Sequence, residues 1–185
     1  MDRFFFGESP AVAFQWINIR WLNELLSFSY LSYHVYLHWL LWDAIATPES
    51  AINTMSRRVY GAFAVGLPMY LLLPAPSICY SFPELFTDSV NGYWGTRATL
   101  WIVANFAAKY DSFPSLHVFI MGTMVWFDPK RFGVRRKIMI PAYGLMIVST
   151  ILLRFHYGVD LLCGVVLLTI YVFIVSRRTA NGEMA

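Results

Sequence analysis

The run VDLLCGVVLLTIYVFIV, residues 159–175, decides how the rest of the chain is read. After Asp160 it carries no charge, and it ends just before Arg177 and Arg178. An α-helix needs about 20 largely apolar residues to cross ~30 Å of hydrocarbon, and this run approaches that length. Composition points the same way: 58% of the 185 residues are hydrophobic, 18% aromatic and only 14% charged, against about 25% charged in soluble domains. Lipid offers backbone groups no hydrogen-bond partner, so each segment must satisfy its own, which helices do. The expected fold is therefore all-α, an integral membrane helical bundle occupying residues 1–185 as a single domain.

Other apolar runs extend this pattern. Residues 22–46 are long enough to span, and Asn23, Ser27, Tyr30, His34 and His38 recur there at spacings of three and four, a polar stripe that belongs on the bundle interior. Further spans are read at residues 60–73, closed by PAPS at 74–77, and at 114–127, 138–153 and 159–175, about five in all. Residues 78–112 offer no convincing span; a loop with an interfacial or re-entrant helix around the apolar piece 98–108 is expected. Residues 1–21 mix Phe, Trp and Ile with Glu8, Gln15, Asn18 and Arg20, and read as an amphipathic interfacial helix. An acidic second residue and breaks at Gly7 and Pro10 argue against a signal peptide. Residues 22–177 form the expected bundle and 178–185 a cytoplasmic tail.

Charge placement orients this bundle. Arg57, Arg58, Lys130, Arg131, Arg135, Arg136, Lys137, Arg177 and Arg178, nine of fourteen lysines and arginines, fall at one set of helix ends. By the positive-inside rule that face is cytoplasmic, and so is the C-terminus. The opposite ends hold Arg97, Lys109, Asp111, Ser115, His117, Arg154, His156 and Asp160, so a reactive site is expected on the extracytoplasmic or lumenal face. The net charge of +3 does not point to nucleic acid, because in a membrane protein the positions of charges outweigh their sum. Tryptophans such as Trp16, Trp39 and Trp94 fit interfacial belts, and KRFGVRRK, residues 130–137, fits a topology signal. Cys79 and Cys163 show no metal or redox spacing.

The chemistry concentrates in two short segments. In YDSFPSLHVF, residues 110–119, Pro114 and Ser115 suit the start of a helix, whose bare amides and dipole attract an anion such as phosphate. His117 follows, able to protonate a leaving oxygen; the plain alternative is a capped helix with an interfacial histidine. In LLRFHYGVDLL, residues 152–162, Asp160 lies four residues after His156 and can take the imidazole N–H, leaving the other ring nitrogen nucleophilic. Arg154 adds a donor fork for phosphate, or pairs structurally with Asp160.

Together these segments resemble a known family. PSLH at 114–117 is similar to the second signature, usually P-S-G-H, of the type 2 phosphatidic acid phosphatase (PAP2) superfamily, and RFHYGVD at 154–160, with H-x-x-x-D, resembles its third. The resemblance implies His156 as the nucleophile that forms a phosphohistidine, Asp160 as its orienting partner and His117 as the proton donor, with Ser115 and Arg154 on phosphate. Leu116 stands in place of the usual glycine, Arg154 lies closer to His156 than usual, and the first signature is missing, which leaves Lys109 and Arg97 as candidate phosphate cations. Together with YLLLPAPS at 70–77 and SYLSYHVY at 29–36, these departures look more like inositol phosphorylceramide and sphingomyelin synthases. The implied partners are a lipid phosphate or phospholipid and the bilayer. The implied reaction needs no metal or other cofactor, and its acceptor is water or an alcohol; the short chain and the small number of spans lean toward hydrolysis or a simplified transferase. Oligomeric state is not legible.

Two other readings fit parts of this pattern. His34 and His38 at i, i+4 could hold a metal, but no H-E-x-x-H pattern completes the site, so His34 and Tyr30 are read as lining a substrate cavity. A small channel or transporter, its path lined by the polar stripe and by Arg154 and Asp160, is the alternative from a different class.

Overall fold

The structure, a computed structural model, describes residues 1–46, 50–129 and 133–181. The described part is helical, its one β feature an isolated bridge between Ala75 and Asp111. In chain order the helices are α1 (Asp2–Phe6), α2 (Pro10–Ala13), α3 (Arg20–Ala46), α4 (Ser50–Leu72), α5 (Ile78–Ser81), α6 (Trp94–Phe106), α7 (Leu116–Phe127), α8 (Gly133–Leu152) and α9 (Gly158–Ala180), with a 3₁₀ turn at Pro83–Leu85.

All five expected spans are helices, although α4 and α8 start well before the apolar run that marks them in the sequence. The central one is α7. It packs against α3, α4, α8 and α9, and Val118, Phe119, Ile120, Met121 and Met124 are wholly enclosed. Around it Tyr33, Tyr36 and Leu40 of α3, Met55 and Val59 of α4 and Met146 of α8 close the main core. Burial on every side explains why so short a helix is apolar all round. Among the described residues α9 is the one helix long and apolar enough to cross a membrane; α7 is apolar but short. The helix α3 is long enough, but its polar stripe and Asp43 dilute its apolar content.

At one end of the bundle Arg135 of α8 bonds Asp128 after α7 and Asp43 of α3, and Asp128 accepts from Tyr36. Arg58 of α4 reaches Thr179 of α9 there. The basic helix ends thus gather together, while Lys130 and Arg131 lie outside the described residues.

The first twenty residues differ from the expected single interfacial helix. Gly7 takes φ 75°, a left-handed turn that suits glycine, and Pro10 opens a new helix, so the segment breaks into α1 and α2. Ala11 and Val12 pack against Ile78 and Ile151. The Asp2 carboxylate accepts from the amides of Gly158 and Val159 at 3.0 and 2.9 Å, supplying α9 with the N-terminal anion its dipole favours. Similarly, Glu24 of α3 accepts from the amides of Tyr93, Gly95 and Thr96 and starts α6 four residues ahead of the apolar piece.

Candidate active site

The turn between α8 and α9 builds the first half of the site. The carbonyl of Thr150 accepts from the amides of both Phe155 and His156, and Arg154 takes φ 66°, which turns the chain sharply and leaves the His156 side chain buried. His156 precedes α9, so its pairing with Asp160 is made across a helix start. Asp160 holds its own place by accepting from the Tyr157 amide at 2.9 Å.

One carboxylate oxygen does most of the orienting. Asp160 Oδ2 accepts from Ser112 Oγ at 2.6 Å and lies 3.3 Å from His156 Nδ1. Ser112 Oγ is itself 3.3 Å from the same nitrogen. With Asp160 Oδ2 as the acceptor, a proton on Nδ1 would leave Nε2 its lone pair. The two 3.3 Å separations lie just beyond the common range for such bonds.

The start of α7 supplies the second half. The Ser115 amide donates to the Asp160 carbonyl at 3.0 Å, locking α7 to α9. That amide is therefore already engaged, a correction to the expectation that it would be bare for phosphate. The Ser115 hydroxyl does not cap the helix either; it lies 3.4 Å from His156 Nε2. His117 Nδ1 is 3.4 Å from the same Nε2, with the two ring planes at 70°. Tyr30 and Tyr33 of α3 pack on His117, centroids 4.7 and 5.1 Å away, and His34 stands at 6.5 Å. His156 Nε2, the Ser115 hydroxyl and the His117 imidazole thus converge on one point.

The other sequence candidates lie apart. The Arg154 guanidinium stacks on Phe86 at 4.3 Å, donates to the Asp88 carbonyl and faces a cavity of about 430 Å³. Its Nε has no hydrogen-bond partner, and burial pulls its pKa down from the ordinary value. Arg97 and Lys109 are exposed and bond to none of these side chains among the described residues. His38 turns its Nδ1 to the His34 carbonyl at 2.7 Å, and no group of three His, Cys, Asp or Glu among the described residues is arranged to hold a metal ion. Burial pushes the Asp111 carboxyl up from its ordinary value, with its own amide and His156 opposing.

Sequence reasoning missed Ser112 and Tyr33. Ser112 sits inside the quoted YDSFPSLHVF segment, but only its approach to Asp160, 48 residues on, gives it a role. Tyr33 lies one position from the recognised stripe of α3, and its contact with His117 is purely tertiary.

Searches of curated proteins and of solved structures find no match. A family model described as the PAP2 superfamily, whose members are phosphoesterases and phosphotransferases, matches residues 1–174. With the match covering nearly the whole chain, both histidine segments included, this protein belongs to the PAP2 superfamily.

Proposed function

We propose that the protein is a multi-pass membrane enzyme that cleaves or transfers a lipid phosphate through a phosphohistidine on its extracytoplasmic face. The observation that carries this reading is His156 Nε2, its lone pair freed because Nδ1 faces Asp160, lying 3.4 Å from His117 Nδ1. Family membership supports phosphatase-type phosphoryl transfer. The apolar composition and the one-sided basic helix ends support the membrane setting.

In the first step the Nε2 lone pair of His156 attacks phosphorus. The phosphorus–oxygen ester bond breaks, its electron pair leaves with the oxygen, and His117 delivers the proton. In the second step His117 takes a proton from water or an alcohol, whose oxygen attacks phosphorus, and the phosphorus–nitrogen pair returns to Nε2. The Asp160 carboxylate stabilises the imidazolium character that builds on His156, and the Ser115 hydroxyl donates to an equatorial phosphate oxygen. Two nitrogens 3.4 Å apart leave no room for a phosphoryl group, so substrate entry parts the rings. Arg154, whose Nε lacks a partner, faces the neighbouring cavity beside Phe86 and would meet only substrate charge that reaches there, and Lys109 and Arg97 are the other candidate cations. His34 and Tyr30 border the His117 side of the substrate space. The residues supply nucleophile, acid and orienting anion themselves, so turnover is expected to proceed without added metal.

A panel of phosphatidic acid, polyprenyl diphosphate, and phosphatidylinositol with ceramide or diacylglycerol tests the reading on purified protein. Phosphate release identifies a phosphatase, and headgroup transfer identifies a transferase of the inositol phosphorylceramide synthase type. Acid-labile, base-stable phosphate should be trapped on wild-type protein and not on His156→Ala. Full activity with no trapped phosphate under rapid quench overturns the covalent route, and permeation without turnover overturns the enzyme in favour of a channel.

A further inference from the structure

We propose that the end of the bundle opposite His156 holds a binding site for an anionic phospholipid, between α4 and α9. A cavity of about 460 Å³ there is lined by Arg57, Arg58 and Arg178, with Thr54 beside them and Val65 and Ile174 on its apolar side. No acidic side chain lines it among the described residues.

The three arginines are placed for an anion that the protein does not itself provide. The Arg58 guanidinium is fixed by a bond to Thr179 Oγ1 at 3.0 Å and by the Phe127 ring 4.6 Å away, yet its Nε is buried with no hydrogen-bond partner. A buried charged donor left unmade is costly, and an incoming oxygen would remove that cost. Arg57 is steadied by Thr54 at 3.2 Å, and Arg57 and Arg178 are exposed at the mouth. Tyr171 braces the wall: its hydroxyl donates to the Arg58 carbonyl at 2.5 Å. A Cβ on Gly61 would meet that hydroxyl at 2.5 Å, so glycine is what lets α9 come this close.

The apolar side decides the class of ligand. Arg58, Gly61 and Val65 follow i, i+3, i+7 along α4, and Arg178, Ile174 and Tyr171 follow i, i−4, i−7 along α9. Both stripes therefore run from a cationic mouth to an apolar slot on one face. That sequence of surfaces matches a phosphate headgroup with an acyl chain below it, as in basic pockets between membrane helices. The proposal rests on the membrane reading above but not on the histidine chemistry.

The test measures lipid binding, not turnover. Delipidated protein in a neutral detergent is titrated with phosphatidylglycerol, phosphatidylcholine or inorganic phosphate and followed by native mass spectrometry. Phosphatidylglycerol should bind at least about tenfold more tightly than phosphatidylcholine, and Arg57→Gln/Arg178→Gln should weaken it about 25-fold, roughly fivefold per arginine. Both side chains are exposed, so this variant should keep the wild-type melting temperature even if Arg58→Gln does not fold. His156→Ala should bind phosphatidylglycerol as wild type does, whatever happens to activity. Undiminished phosphatidylglycerol affinity in the double variant, or equal affinity for inorganic phosphate, overturns the proposal.

Discussion

His156 Nε2 and His117 Nδ1 lie 3.4 Å apart although 39 residues separate them, brought together by the bond from the Ser115 amide to the Asp160 carbonyl. If His156 is the nucleophile and His117 the acid, their losses should differ by substrate. His156→Ala should abolish turnover of every phosphate ester. His117→Ala should lower kcat by about 10²–10⁴ on an alkyl phosphate but much less on a nitrophenyl phosphate, whose leaving oxygen needs no proton. Equal losses on both substrates would remove the acid role from His117.

Ser112 should prove a positioning residue. Its hydroxyl donates to Asp160 and borders His156 Nδ1, so Ser112→Ala should lower kcat about tenfold at near-constant KM. Ser112→Thr should restore part of the loss, and Asp160→Asn, which removes the anion, should cost more than either. A rise in KM alone would place Ser112 in substrate binding instead.

Gly164 of α9 marks where α7 touches α9 most closely near the site. A Cβ there would lie 2.8 Å from the Ser115 carbonyl and 3.0 Å from Val118 Cβ. Gly164→Ala should lower stability by about 1–3 kcal/mol and reduce turnover with it, because Ser115 moves away from His156. Gly144 of α8 has nothing within 4 Å of an added Cβ, so Gly144→Ala should be neutral or stabilise by up to about 1 kcal/mol. Thermal melts of the two variants give the comparison, and similar melts would count against the close contact.

Asp111 supplies a pH dependence. Burial raises its pKa in the folded protein above the ordinary 3.8, so the folded state binds the proton more tightly than the unfolded one. Its favourable contribution is complete below about pH 3.8 and is lost as pH rises through the folded value. Asp111→Asn should flatten that fall in unfolding midpoints measured from pH 3 to 7, and a parallel curve for both proteins would refute it.

The helical class, five apolar helical segments and the two chemical clusters are legible in the sequence, because apolar run length, helix-start residues and the spacing of His156 from Asp160 are local signals. Tertiary structure decided the rest. Asp2 reaches the first amides of α9 and Glu24 starts α6, and neither acid has a local mark of its distant helix. Arg154 reads from spacing as a phosphate ligand, yet its φ of 66° and the Phe86 ring turn it toward a separate cavity. Backbone amides and carboxylates pair across long sequence separations only once the core of α7 has brought α3, α8 and α9 together, so such contacts follow packing and not pattern.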